Sequence, residues 1–201
     1  MVKRYSKQTL ETIARNTLKQ CGEAYLNGKP QAVPLERLVE ESFDLGIEYM
    51  HLTESGHELG RMICTNGYTT RFNSDIDNYE LVVVSSGTIL IEANLLECVN
   101  LHGRFRFTLA HELAHWILHR ELFAETNSAA AHSTDTANDD IIEWQANYLA
   151  QAMLMPTGQV KRGFYALVQT TSRVEIIHKL ATIFEVSKQA MGIRLQELGL
   201  I

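Results

Sequence analysis

The chain has 201 residues, a length that predicts one domain or one domain with a small appendage. Its 18 Lys and Arg against 24 Asp and Glu give a net charge of −6, which argues against a nucleic-acid coat or a polybasic membrane binder. The apolar runs are all shorter than the ~18 residues of a membrane span. Cys21, Cys64 and Cys98 are odd in number and widely spaced, so we expect no disulfide framework and a soluble, cytoplasmic protein.

Two helices are predicted before residue 47. Apolar residues recur at helical spacing between residues 5 and 27, and Gly28-Lys29-Pro30 ends this first helix. Pro34 begins the second helix, which is expected to end near Gly46.

Five strands are predicted between residues 47 and 93. The turn dipeptides Asn66-Gly67 and Ser86-Gly87 each separate two strand-like runs, which is typical of hairpins. We therefore expect a small antiparallel sheet, with the apolar runs 81–84 and 89–91 nearest the core. The runs are 47–52, 61–65, 69–72, 79–85 and 88–93.

Residues from 104 onward are predicted to be helical, which makes the fold class α+β. The exception is residues 127–140, which are rich in Ser, Ala, Thr, Asn and Asp and predict a loop. A helix over 141–155 follows, with Asp139 or Asp140 as its N-cap and Pro156 as its stop.

The most informative motif is H-E-x-x-H, formed by His111, Glu112 and His115 on an apolar helical background. Histidines at i and i+4 lie about 40° apart around a helix and ~6 Å apart along it, so both imidazoles can share one tetrahedral Zn²⁺. Glu112 can reach a water held by the metal, as general base and then as proton donor to a leaving amine. The alternative is two partly buried histidines on an amphipathic helix, which would be costly without a metal or partners.

A catalytic zinc site needs a third protein ligand. We favour Glu143, because a carboxylate on a second helix fits a preorganised site best. One turn further on, the Asn147 amide could bond the free ring nitrogen of a ligating histidine. His119 lies ~12 Å along the helix from His111, too far to share the metal, and we expect a supporting role for it. The full set of candidates is Glu121, Glu125, His132, Asp139, Asp140 and Glu143.

Three segments together resemble the ImmA/IrrE family of zinc metallo-endopeptidases: Arg106-Phe107-Thr108-Leu109-Ala110-His111-Glu112-Leu113-Ala114-His115, Glu143-Trp144-Gln145-Ala146-Asn147 and Leu154-Met155-Pro156. The resemblance covers residues 80–156 and extends more loosely to both ends. It implies that His111, His115 and Glu143 bind zinc and that Glu112 is the catalytic base. It also implies a zincin-like catalytic domain, in which a small antiparallel sheet packs on the H-E-x-x-H helix.

A peptidase of this kind needs two further features. One is a sheet edge that pairs with extended substrate, a role we assign to the predicted strand 88–93. The other is a donor that stabilises the oxyanion, for which Tyr148, Tyr165 and His178 are candidates.

The C-terminal residues predict two helices separated by a turn at Val186-Ser187, with Ser187 as an N-cap. Residues 173–201 carry only one more basic than acidic residue, which is weak for a DNA reader. We therefore predict a zincin-like metallopeptidase domain over residues 1–170 and a helix-turn-helix-like appendage, packed on it, over residues 171–201.

The combined prediction is an intracellular zinc endopeptidase that makes limited cleavages in one regulatory protein, and the resemblance implies a transcriptional repressor as the substrate. Neither a membrane nor DNA is an expected partner. The alternative is a non-proteolytic, antitoxin-like binding protein with structural or vestigial zinc. A third hypothesis is a DNA-binding regulator that uses the C-terminal helices.

Overall fold

The computed structural model describes residues 2–97, 99–125 and 136–201. Its mixture of helices with small sheets confirms the α+β prediction. The helices are α1 Lys7–Leu18, α2 Ala24–Asn27, α3 Leu35–Arg37, α4 His102–Glu125, α5 Thr136–Leu154, α6 Thr157–Leu167, α7 Arg173–Phe184 and α8 Lys188–Glu197. The strands are β1 Gly46–Met50, β2 Gly60–Ile63, β3 Gly67–Asn73, β4 Asn78–Val84 and β5 Thr88–Glu92. Short 3₁₀ turns lie at Lys19–Cys21, Ala93–Leu96 and Val99–Leu101, and a π turn lies at Leu38–Ser42.

The two N-terminal helices are shorter than predicted. Ser6 caps α1 by accepting a hydrogen bond from the Thr9 amide. The helix ends at Leu18 and a 3₁₀ turn continues it to Cys21, where Gly22 stops the helical path with φ 115°. The second helix is one turn, α3, followed by the π turn. Asp44 then adopts the left-handed conformation at φ 53°, and this turns the chain into β1.

The strand pairing differs from the prediction of one small antiparallel sheet. The main sheet has the order β1-β5-β2, with β1 parallel and β2 antiparallel to β5, while β3 and β4 form a separate hairpin. The two predicted hairpin turns instead bond to each other. Asn66 Oδ1 accepts from the Ser86 amide at 2.7 Å, and Ser86 Oγ donates to the Cys64 carbonyl at 2.8 Å. The chain therefore leaves the sheet after β2 and returns to it for β5.

The central strand β5 is buried on both faces, because the helices cover one face and the β3–β4 hairpin covers the other. Ile89 and Ile91 pack into the main helical core, and Leu90 packs into a small cluster beneath the β3–β4 hairpin. The prediction that residues 81–84 lie near the core is correct for Val84, which is buried in the small cluster, and for Val82, which packs against it. Leu81 and Val83 are 71% and 75% exposed, since β4 has one covered face and alternate side chains point outward.

Helix α5 begins earlier than predicted. It starts at Thr136, so Asp139 and Asp140 lie within its first turns and are not N-caps. The predicted loop over 127–140 is therefore wrong from residue 136, and residues 126–135 lie outside the described chain. At the other end the helix stops at Leu154, just before Pro156, as expected. The side chain of Ser187 caps α8 as predicted. Within the described residues, no helix is both long and apolar enough to cross a membrane.

A buried ion pair joins the last helix to the first. Arg194 of α8 is fully buried, and its guanidinium lies 2.7 Å from Glu11 of α1 and donates to the Met155 carbonyl and to Thr157 Oγ1. Burial raises the pKa of the Glu11 carboxyl, but Arg194 outweighs this effect and holds that pKa below its ordinary value. The pair therefore links α8 to α1 and to the junction between α5 and α6.

Replacing Arg194 with Met should lower the free energy of unfolding by about 3 kcal/mol. This is the low end of the range for breaking a buried pair, because the Glu11 side chain keeps 28% exposure. Urea unfolding measures the change. Lys7→Met is the control, because it removes an exposed ion pair to Glu197 and should cost less than about 1 kcal/mol. Equal losses in the two variants would contradict this account of the junction.

Candidate metal centre

Three side chains that the sequence singles out converge between α4 and α5. His111 Nε2 and His115 Nε2 are 2.9 Å apart, and the Glu143 carboxylate lies 3.2 Å from the first and 3.4 Å from the second. Within the described residues, this trio forms a group whose potential ligand atoms all lie within 4.8 Å of one another. Ligand atoms bound tetrahedrally at zinc distances are about 3.3 Å apart. The spacing and the chemistry of this donor set therefore fit one zinc-sized cation.

The electrostatics of the trio point to the same conclusion. Burial raises the pKa of Glu143, but hydrogen bonds and charges from His111 and His115 outweigh it and hold the pKa well below its ordinary value. Burial lowers the pKa of His111, but Glu143, Glu112 and Asn147 together raise it above its ordinary value. The anionic carboxylate thus stabilises positive charge between the two imidazoles. A divalent cation bound there would supply that positive charge.

Outer partners orient both imidazoles. His111 Nδ1 lies 3.1 Å from Asn147 Oδ1, so Nδ1–H donates to the amide and leaves Nε2 free to face the centre. His115 Nδ1 lies 3.2 Å from His119 Nδ1, and His119 Nε2 lies 3.4 Å from Gln145 Oε1. Burial, helped by the charge of His115, lowers the pKa of His119 to about 4, so His119 is neutral and can accept the His115 proton donor.

This arrangement gives His119 the supporting position expected of it and adds one residue that sequence reasoning missed. Gln145 is fully buried and donates in turn to the Lys3 carbonyl at 3.0 Å, which anchors the histidine chain to the N-terminal segment. The sequence offered one signal for Gln145, its position two residues after Glu143. Because a helix turns by about 200° over two residues, the two side chains were not expected to serve one site.

The other candidate ligands do not join the trio. Glu121 is exposed near the end of α4, while Asp139 lies at the rim of the cleft and Asp140 is exposed. His132 lies outside the described residues, as does the side chain of Glu125.

The trio lies in a cleft of about 500 Å³ between α4, α5 and β2. Glu112 also lines the cleft and is only 6% exposed. A Cβ atom at Gly60 would lie 2.8 Å from Glu112 Oε1 and 2.6 Å from Thr108 Cγ2, so β2 can approach α4 this closely only at a glycine. His57 and Arg61 also line the cleft, which the sequence had not indicated, although the Arg61 guanidinium is bonded to Glu58 and to the Thr70 carbonyl.

The structure corrects two expectations about the cleft. Strand β5 is the central strand of its sheet and is paired on both edges, so among the strands that the structure describes, the one beside the cleft with an unpaired edge is β2. The three candidate oxyanion donors do not line the cleft. Tyr148 Oη donates to Glu11 at 3.2 Å, Tyr165 is 64% exposed on α6, and His178 lines a separate groove.

Comparison with known families agrees with the class of protein that this site suggests, a metallopeptidase. The family model Peptidase_M78, described as the IrrE N-terminal-like domain, matches residues 87–196, more than half of the chain. The chain belongs to this family, as the resemblance to ImmA/IrrE proteins predicted.

Among solved structures, the chain is similar to a Mycobacterium tuberculosis transcriptional regulator, with a TM-score of 0.53 and 15% sequence identity. The alignment covers 94% of this chain and 46% of that one, so the chain spans less than half the length of the regulator. At this identity the likeness shows a shared fold alone. The search of curated proteins found no match.

Proposed function

We propose that the chain is a cytoplasmic zinc endopeptidase with a zincin-like catalytic unit, and that it makes limited cleavages in one regulatory protein. The observation that carries the proposal is the convergence of His111, His115 and Glu143 beside Glu112 in an open cleft. In this proposal residues 1–170 form the catalytic unit and residues 171–201 a helical appendage. The match to a metallopeptidase family supports the reaction class.

His111, His115 and Glu143 would hold the zinc, which supplies Lewis acidity toward the scissile carbonyl and toward water. In this proposal Glu112 takes a proton from the attacking water as the new C–O bond forms. The same carboxyl group then delivers that proton to the amide nitrogen as the C–N bond breaks. Asn147 and His119 keep the two imidazoles in the tautomers that present Nε2.

The open edge of β2 offers a place for extended substrate. The carbonyls of Leu59 and Ile63 accept hydrogen bonds from the amides of Glu92 and Gly87, in and just before β5. Because the backbone groups of successive residues in a strand point to opposite edges, those of Gly60 and Met62 point away from β5. A substrate strand can bond to these groups beside Glu112. In this proposal the cleft holds unfolded or flexible polypeptide, in keeping with limited cleavage.

A regulatory protein is the proposed substrate class. The resemblance to ImmA/IrrE proteins implies it, and the structural neighbour is itself a transcriptional regulator. The competing function is a binding protein that holds such a regulatory partner without cutting it.

The test is a survey of new protein N-termini in the native host, with and without expression of the chain. We expect new N-termini from one regulatory protein, and cleavage of that purified protein that stops with a zinc chelator and returns with zinc. An altered partner activity with no new N-terminus would contradict the peptidase and favour the binding protein.

Replacing Gly60 with Ala should slow cleavage, because the added methyl group would force Glu112 or β2 to shift. We expect kcat to fall by at least about tenfold, and the free energy of unfolding to fall by about 1–3 kcal/mol, as overpacking typically costs. Cleavage kinetics and urea unfolding measure the two effects.

Gly46→Ala is the matched control, since Gly46 begins β1 of the same sheet and its Cβ would come no closer than 3.8 Å to Thr88 Oγ1. It should leave kcat within about twofold of the wild type. If both alanine variants cleave equally fast, the close contact between β2 and Glu112 has no bearing on the reaction.

A further inference from the structure

A second groove, of about 930 Å³, lies beside the cleft. It runs between the N-terminal end of α4, the middle of α5 and the α7–α8 pair, and we refer to it as the distal groove. Its walls are mainly apolar, and Trp144 of α5 and Ile193 of α8 are 41% and 45% exposed within it. Phe107 and Asn147 line both the distal groove and the cleft, so the two pockets are neighbours.

The distal groove is preformed by close backbone contact. A Cβ atom at Gly103 of α4 would lie 3.1 Å from the Ser187 amide nitrogen and 3.3 Å from the Val186 carbonyl carbon. Glu185, in the same turn, pairs with Arg106 at 3.5 Å and with His102 at 3.3 Å. A groove held open in this way loses little conformational entropy when it is occupied.

The charge left at the rim of the distal groove is positive. Its two glutamates are paired, Glu185 with Arg106 and Glu197 with Lys7. Arg104 and Lys188 also line the groove, and neither has an ion-pair partner in the described residues. An occupant with apolar side chains and a nearby carboxylate would complement this surface.

We propose that the distal groove binds an apolar segment with an acidic flank, belonging to the same polypeptide whose scissile bond enters the cleft. That the occupant is part of the substrate rests on the proposed function. Its apolar and acidic character is inferred from the apolar walls and basic side chains of the groove. Because Phe107 and Asn147 line both pockets, a segment bound in the groove would lie next to the cleft that holds the metal centre. Recognition at two neighbouring surfaces would restrict cleavage to a polypeptide that carries both elements.

A binding selection tests the chemistry without any need for catalysis. The probe is a displayed library of random 12-residue peptides, selected on the zinc-loaded Glu112→Gln protein. We expect the enriched peptides to combine apolar residues with Asp or Glu. Enrichment of basic or purely polar peptides would overturn the proposal.

Matched variants locate the bound peptides. Ile193→Lys should weaken binding by at least about tenfold, while Ile183→Lys, at a residue of α7 that is 38% exposed outside the groove, should change it less than twofold. Lys188→Glu should weaken binding and Lys179→Glu, on the outer surface of α7, should not. Thermal unfolding confirms that each variant folds. Equal binding by the members of both pairs would place the peptides elsewhere and overturn the proposal.

Cleavage kinetics then test whether the occupant is the substrate. With the regulatory protein found by the N-terminal survey, Ile193→Lys should raise KM at least about fivefold and leave kcat unchanged. A short peptide that spans only the scissile bond should be cleaved equally by the wild type and the variant. If the selection succeeds but KM does not change, the groove binds a different partner and the substrate assignment is wrong. If no cleavage exists at all, the proposed function fails while the selection still reports on the groove.

Discussion

Glu112→Gln is expected to abolish cleavage and to leave zinc bound. Glutamine keeps the shape of the side chain in its buried position against Gly60 but cannot accept a proton from water. General acid–base catalysis typically contributes 10²- to 10⁴-fold, so we expect kcat/KM to fall by about 10³-fold. Steady-state cleavage of the identified substrate measures the fall, and elemental analysis of the same sample measures the zinc.

Glu121→Gln is the matched control, because Glu121 is exposed on the same helix and lies outside the cleft. It should cleave at the wild-type rate. If Glu112→Gln also cleaves at that rate, Glu112 is not the base and the proposed mechanism is wrong. If Glu112→Gln fails to cleave but also lacks zinc, the loss would report on metal binding and would contradict a purely catalytic role.

The second large effect is expected for Glu143→Ala, which removes one of the three proposed ligands. Loss of an outer partner of a ligand typically costs 10- to 100-fold in metal affinity, so loss of a ligand should cost more than about 100-fold. Two imidazoles would remain, and the carboxylate that holds positive charge between them would be gone. Competition with a chromophoric chelator measures the zinc affinity.

Asp140→Ala provides the comparison, since Asp140 is an exposed carboxylate on the same helix and was a candidate ligand from the sequence alone. Its zinc affinity should match that of the wild type. If Asp140→Ala loses zinc while Glu143→Ala keeps it, the ligand assignment is wrong.

Much of the candidate site could be predicted because its geometry is local. The spacing of His111 and His115 places both imidazoles on one helical face, and a carboxylate early in the next helix is a natural third ligand. The structure brings these three side chains together, and their role as ligands stays a prediction. Asn147 is also where its spacing from Glu143 predicted, one turn further along α5.

The sheet could not be predicted in the same way. Turn preferences depend on a few neighbouring residues, whereas strand pairing joins segments that are far apart in the sequence. Asn66-Gly67 and Ser86-Gly87 do mark turns, but these turns bond to each other and do not close adjacent hairpins. The position of β5 between β1 and β2 depends on two buried faces, which its run of apolar residues permits but does not specify.

The surroundings of the metal centre depend on contacts between distant segments. Gly60 and His57 approach α4 only because β2 lies beside it, and nothing near them in the sequence marks a site. The oxyanion candidates illustrate the reverse problem. Tyr148 is close to the site in sequence, but its hydroxyl group is directed to Glu11 of α1.

The most direct test of the central claim is the anomalous difference map of a zinc-soaked crystal, measured at the zinc absorption edge. We predict one strong peak per chain, within bonding distance of His111 Nε2, His115 Nε2 and the Glu143 carboxylate. A map with no peak among these three side chains, or with its strongest peak at other residues, would contradict the account.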